Sequence, residues 1–155
     1  MRPGFAARFA LPADRHYLSA RHVWARLDDG IVTVGVAAPL REVLYATPAV
    51  DVWAVDRVEA GGPLLTVQGR EDRTVLVATP VAGSVIEVNP LLARATHTLL
   101  TQPYSRGWVA RLDPDNWDRD VAAMNLASQY RSAVELELLA GRESCFAEVV
   151  LPRAA

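Results

Sequence analysis

The sequence predicts a mostly β protein of the α+β class, with helices near its C-terminus. Two apolar runs, residues 64–67 and 74–77, flank a charged stretch at residues 69–73 that contains a glycine. This pattern is typical of a β-hairpin with an exposed turn. Farther along, apolar residues recur at helical spacing over residues 117–138. Paired strands are therefore expected first and helices afterwards.

Strands are also predicted before this central hairpin. Asp29 and Gly30 form a turn signal, and an apolar strand follows at residues 31–36. Gly35 lies inside that strand, which indicates either a bulge or a close approach of another group to the backbone. A short helical turn with proline near its start is predicted at residues 39–44.

A strand at residues 50–55 leads towards the hairpin. After the hairpin, a turn at residues 80–83 precedes a strand at residues 84–89, which ends at an Asn-Pro pair. These segments have the short lengths and glycine or proline boundaries of strands in a small β domain.

The helical region is predicted to begin at Asp113 and Pro114, a capping residue followed by proline in the first turn. One long helix or two short ones should continue to about residue 140 and end at Gly141. Residues 145–151 could add a further strand. Residues 1–15 are expected to form an N-terminal lead-in, residues 16–140 the domain and residues 141–155 a C-terminal extension.

Composition limits the classes of function. The chain has 155 residues, 51% of them hydrophobic, and a net charge of −2, which fits one domain with a real core. No block of like charge favours nucleic acid or an anionic membrane surface, and no apolar stretch approaches the roughly 18 residues of a membrane span. The single cysteine, Cys145, suits a reducing compartment and is expected to be a small buried hydrophobe. A cytoplasmic location is therefore expected.

Four motifs occur in a fixed order: His22-Val23-Trp24-Ala25-Arg26, Thr33-Val34-Gly35, the segment TPVAGSVIEVN at residues 79–89, and Pro103-Tyr104 followed by Gly107-Trp108. Together they resemble the glycine cleavage system H protein family over about residues 16–135. The resemblance implies a biotinyl/lipoyl-domain-like barrel-sandwich hybrid with helices packed on it at the C-terminal end. It also implies a cleft that Tyr104 and Trp108 would help to shape, but packing and turn roles are favoured for both residues.

The resemblance places the family's lipoyl-lysine position at Asp72. Arginine accounts for all 16 basic residues counted as Lys+Arg, so the chain contains no lysine. Lipoylation forms an amide with a lysine amine, whereas a guanidinium stays protonated and is a poor acylation target. No bound lipoyl cofactor is therefore expected.

The charged residues at the centre of the hairpin, Arg70, Glu71, Asp72 and Arg73, are candidates for docking to a partner. The alternative is a solvated turn with local ion pairs, each worth about 0–1 kcal/mol. A core position is favoured for His22, and the three histidines lack the spacing of a metal site. No nucleophile elbow, phosphate-binding loop or dinucleotide motif indicates an enzyme.

Three functions remain open at this point. The chain could be a non-lipoylated, non-catalytic adaptor or structural subunit that docks to another protein or enzyme complex. It could instead be a regulator or decoy acting with glycine-cleavage or lipoyl-transfer enzymes. It could also bind a small molecule in the vestigial lipoyl cleft.

Overall fold

Two antiparallel β-sheets form the framework of the protein in a computed structural model, which describes residues 9–54 and 56–152. The larger sheet has six strands in the order β1-β2-β3-β9-β8-β5, and the smaller has three in the order β4-β6-β7. The strands are β1 His16–Leu18, β2 Val23–Asp28, β3 Ile31–Val36, β4 Val50–Val52, β5 Arg57–Val58, β6 Pro63–Gln68, β7 Thr74–Ala78, β8 Gly83–Val88 and β9 Ala110–Pro114.

Helices are short except near the C-terminus. The α-helices are α1 Thr98–Thr101, α2 Trp117–Val121, α3 Ala127–Ala140 and α4 Arg142–Cys145, and 3-10 helices span Ser19–Arg21, Ala38–Val43, Arg70–Asp72 and Pro90–Ala93. The prediction of a mostly β fold with C-terminal helices is confirmed. The helical turn predicted at residues 39–44 is the 3-10 helix Ala38–Val43.

The core lies between the sheets and the C-terminal helices. Its largest fully buried side chains include Trp24 and Tyr17 from the large sheet and Tyr130 from α3. Gly35 pairs with Trp24 across β2 and β3, and a Cβ atom on Gly35 would lie 2.5 Å from the indole ring. The close-approach alternative for Gly35 is therefore the correct one.

The predicted start of the helical region is wrong. Asp113 and Pro114 belong to β9, where they pair with Ser84 and Gly83 of β8. The helix α2 begins only at Trp117, after Asn116 accepts a hydrogen bond from the backbone N–H of Arg119. Pairing with a neighbouring strand has overridden a local capping signal, as tertiary context commonly does.

The end of the helical region is confirmed, because α3 ends at Gly141, whose φ of 122° lies in the left-handed half of conformational space. The strand predicted at residues 145–151 is wrong. The segment instead starts in α4 and then forms one isolated bridge, between Val150 and Val75 of β7. Backbone hydrogen bonds from Leu76 to Val149 and from Leu151 to Thr74 support that bridge.

Two other predicted segments need adjustment. The strand predicted at residues 50–55 ends at Val52, and Val55 lies outside the described residues. Of the lead-in, residues 1–8 also lie outside them, but Phe9 and Arg15 are buried against the domain. The guanidinium of Arg15 lies 4.5 Å from the ring centroid of Trp24.

Candidate docking site at the hairpin tip

The central hairpin ends in a compact charged turn, residues 69–73, called here the hairpin tip. Strands β6 and β7 are paired up to Gln68 and Thr74. Beyond that pair, Glu71 and Asp72 both adopt left-handed backbone conformations, with φ of 59° and 57°. Non-glycine residues adopt this conformation at a cost of roughly 1–2 kcal/mol each, so the surrounding contacts must stabilise the turn.

Backbone contacts supply part of that stabilisation. The N–H of Gly69 donates to the carbonyl of Arg73 at 2.8 Å, and the N–H of Arg73 donates to the carbonyl of Arg70 at 3.1 Å. Gly69 also forms an isolated bridge with Leu44, and a Cβ atom on Gly69 would lie 2.9 Å from the carbonyl oxygen of Val43. The hairpin tip therefore packs closely against the chain that follows the 3-10 helix Ala38–Val43.

Two tip side chains make further contacts with other segments. The Nε of Arg70 donates to the carbonyl of Leu44 at 3.3 Å. Arg73 donates through Nη2 to the carbonyl of Leu151, at 3.1 Å, in the C-terminal extension. Arg73 is half-buried, whereas Arg70, Glu71 and Asp72 are exposed. All four predicted docking residues lie together, and Arg73 also bonds to the C-terminal extension; their docking role stays a prediction.

The hairpin also presents apolar surface that the sequence did not single out. Strand β4 pairs with β6, and next to it the side chain of Trp53 is 57% exposed. Val52 and Tyr45 are about equally exposed, and the N–H of Tyr45 bonds to the carbonyl of Gln68 beside the tip. Exposed aromatic side chains next to charged ones are typical of protein-binding surfaces. The sequence pattern of the strand predicted at residues 50–55 did not indicate that Trp53 is exposed.

A cleft of about 350 Å³ lies beside the hairpin tip and is called here the tip cleft. Its lining comes from the tip, the 3-10 helix Ala38–Val43 and the C-terminal extension. Tyr104 and Trp108, for which packing and turn roles were favoured over a place in a cleft, do not line it. The hydroxyl of Tyr104 accepts from the N–H of Ala38, and the carbonyl of Trp108 accepts from Asn89. These two residues are packing and turn residues.

His22 is a core residue with both ring nitrogens in hydrogen bonds. Nε2 lies 2.7 Å from the carbonyl oxygen of Cys145, and Nδ1 lies 2.7 Å from the hydroxyl of Tyr130. Burial lowers the pKa of His22 to about 4, so the ring is neutral near pH 7. A carbonyl can only accept, so Nε2–H donates to Cys145, and the Tyr130 hydroxyl donates to Nδ1.

Cys145 is buried, as predicted, and burial raises the pKa of its thiol to about 11. A buried thiol of this kind is a poor nucleophile because little thiolate exists near neutral pH. In the part of the chain that the structure describes, no group of three or more His, Cys, Asp or Glu side chains is arranged to hold a metal ion. Within residues 9–54 and 56–152, no helix is both long and apolar enough to cross a membrane.

These features define a class: a small two-sheet domain that carries a closely held, exposed hairpin tip. The chain belongs to the glycine cleavage H-protein family. The sequence model of that family matches residues 15–137. The match ends inside α3, so α4 and the bridge to β7 lie beyond it.

Individual relatives agree with this assignment. The chain is 36% identical over 125 residues to the glycine cleavage system H protein of Laribacter hongkongensis, covering 80% of this chain and 97% of that protein. It is 32% identical over 125 residues to glycine cleavage system H protein 2 of Pseudomonas syringae pv. tomato, covering 80% and 96%. The crystal structure of an H protein from Mycobacterium marinum matches with a TM-score of 0.67 at 28% identity, covering 78% of this chain and 96% of that one.

Proposed function

We propose that this chain is a non-lipoylated H-protein-like adaptor, which docks to a partner protein through the hairpin tip. The observation that carries the proposal is the absence of lysine from all 155 residues, in a chain that keeps the family's fold. The family resemblance places the lipoyl-lysine position at Asp72, which is exposed at the tip. A carboxylate cannot form the lipoyl amide, so the covalent carrier function is absent.

The shape and chemistry of the tip support a docking role. Hydrogen bonds from Arg70 to the Leu44 carbonyl and from Arg73 to the Leu151 carbonyl tie the turn to two neighbouring segments. A preorganised surface loses less conformational entropy when a partner binds. The exposed aromatic side chain of Tyr45 lies beside the tip, where its N–H bonds to the carbonyl of Gln68, whereas the exposed Trp53 lies at the other end of β6, beside Leu64. Aromatic and arginine side chains contribute most often to binding energy at protein interfaces.

A second candidate shares this surface. Similar proteins belong to the glycine cleavage system. The partner could therefore be a glycine-cleavage or lipoyl-transfer enzyme. This chain would act on it as a regulator, or as a decoy that takes the place of the lipoylated protein. In that case, adding the purified chain to a reconstituted glycine cleavage assay changes its rate. An unchanged rate at saturating protein favours an adaptor in another complex.

The test of the docking proposal begins with the chain purified from its own host together with its stoichiometric partner. The partner is then titrated with three forms of the chain: the unchanged protein, Asp72→Arg and Arg94→Glu. Asp72→Arg reverses a charge at the tip, whereas Arg94 is exposed and lies away from the tip and its cleft. The proposal predicts that only Asp72→Arg weakens binding, by at least tenfold. Equal binding by all three forms would overturn it.

A further inference from the structure

The tip cleft has a lining that indicates a particular kind of ligand. Its apolar part includes Phe146, which is almost fully buried, and the half-buried Val43 and Val150. Its charged part holds equal numbers of opposite charges: Arg70, Arg73, Arg142, Glu42, Glu71 and Glu143. The cleft is therefore amphiphilic, with no net formal charge on its lining.

The exposed arginines of the cleft can bind a ligand's carboxylate without breaking a strong interaction within the protein. Nη2 of Arg142 lies 3.8 Å from Oε2 of Glu42, and the Arg142 side chain is 61% exposed. The Glu42 side chain is 20% exposed, and the separation is too long for a hydrogen bond, so the Arg142 guanidinium is only loosely paired. Arg70 is exposed as well, whereas the Nε of Arg73 is buried and offers a ligand less of its guanidinium. The exposed guanidinium groups of Arg70 and Arg142 thus retain capacity to bind a carboxylate.

We propose that the tip cleft binds a free α-amino acid with an apolar side chain. The ligand's carboxylate would contact the arginines, its ammonium the glutamates, and its side chain the apolar surface formed by Phe146 and Val150. A ligand with only one sign of charge would be attracted by half of these groups and repelled by the other half. The volume of about 350 Å³ falls at the lower end of the range for small-molecule sites, roughly 300–1,000 Å³.

Much of this site lies beyond the region that matches the family. Arg142, Glu143, Phe146 and Val150 all follow residue 137, where the match to the family ends. They are held in place by the bridge between Val150 and Val75 and by the contact of Cys145 with His22. The proposal does not depend on partner docking, because it concerns the cleft that the C-terminal extension forms with the tip.

The first test is calorimetric titration of the full chain with L-leucine and L-phenylalanine. Three comparison compounds each lack one feature of the ligand: isocaproate has no ammonium, isoamylamine has no carboxylate, and glycine has no apolar side chain. The proposal predicts that leucine or phenylalanine binds at least tenfold more tightly than all three. It is overturned if neither amino acid binds, or if isocaproate or isoamylamine binds equally well.

The second test places the binding in the cleft. Arg142→Gln removes a guanidinium that would bind the ligand's carboxylate. Ala147→Phe places a bulky side chain in the cleft from an exposed position in its lining. Each is expected to weaken amino-acid binding at least tenfold while leaving the circular dichroism spectrum unchanged. The control Arg94→Gln removes an exposed arginine outside the cleft and should bind as the unchanged chain does. Full binding by both cleft variants would overturn the assignment.

Discussion

The imidazole of His22 donates a hydrogen bond to the backbone carbonyl of Cys145, 123 residues farther along the chain. This contact joins the residue that precedes β2 to α4, in the segment that follows the family's matched region. The ring is also 4.8 Å from the ring of Phe146, which lines the tip cleft. One buried side chain thus positions the extension that completes the cleft.

Replacing His22 should destabilise both the fold and the extension. His22→Ala leaves the Cys145 carbonyl and the Tyr130 hydroxyl without their partner and opens a cavity. The expected loss in the free energy of unfolding is about 3 kcal/mol or more, measured by urea denaturation. His97→Ala, at an exposed histidine, should change it by less than about 0.5 kcal/mol. Similar stabilities for the two variants would contradict the role given to His22.

The same residue predicts a pH dependence of stability. The folded state holds the pKa of His22 at about 4, compared with an ordinary value of 6.5. Because folding favours the neutral ring, the stability from this group is complete above about pH 6.5 and falls as the pH drops towards about 4. The loss over that window is about 3 kcal/mol.

Carboxylates titrate in part of this window as well, so the unchanged chain must be compared with His22→Leu. Urea denaturation of both forms at several pH values isolates the histidine contribution as their difference. That difference should shrink as the pH falls through the window. A difference that stays constant would show that His22 does not titrate with a lowered pKa.

Gly35→Ala tests the packing of Trp24 against the β3 backbone. The added Cβ atom would lie 2.5 Å from the indole ring, so the ring or the strand must move. The expected destabilisation is about 1–3 kcal/mol, with a shift in tryptophan fluorescence. Gly30→Asn is the control, because Gly30 has open space around it and asparagine tolerates its turn conformation. An equal effect at both positions would count against the packing explanation.

Asp72→Lys should create a substrate for a lipoyl-transfer enzyme. The change places a lysine amine at the position that the family resemblance assigns to the lipoyl group, on an exposed tip. The variant is expected to gain the mass of one lipoyl group when incubated with the enzyme and activated lipoate. Asp51→Lys introduces the same amine on exposed β4 and should remain unmodified. Modification of Asp51→Lys alone would show that Asp72 is not the equivalent position.

Local sequence patterns predicted the hairpin and its exposed tip, because two short apolar runs and the charged, glycine-containing stretch between them specify both over a few positions. The patterns failed where distant strands decide the structure. Asp113 and Pro114 look like a helix start but pair with β8. Residues 145–151 have strand-forming composition, yet only Val150 makes a bridge.

The tip cleft could not be predicted from the sequence for a related reason. Its lining combines residues from three separate parts of the chain, such as Glu42, Arg73 and Phe146. A local sequence pattern cannot show that such distant segments lie together. The hydrogen bond from Arg73 to Leu151 is likewise a consequence of the extension returning to β7. By contrast, the absence of lysine is fully visible in the sequence and needs no structure.

The central claim is that this H-protein family member functions without a lipoyl group, and the intact mass of the protein purified from its own host tests it most directly. The account predicts a mass with no lipoyl or other acyl addition, in a sample that contains a stoichiometric protein partner. A mass increased by a lipoyl group would contradict the account, because it would mean that the carrier chemistry persists without lysine.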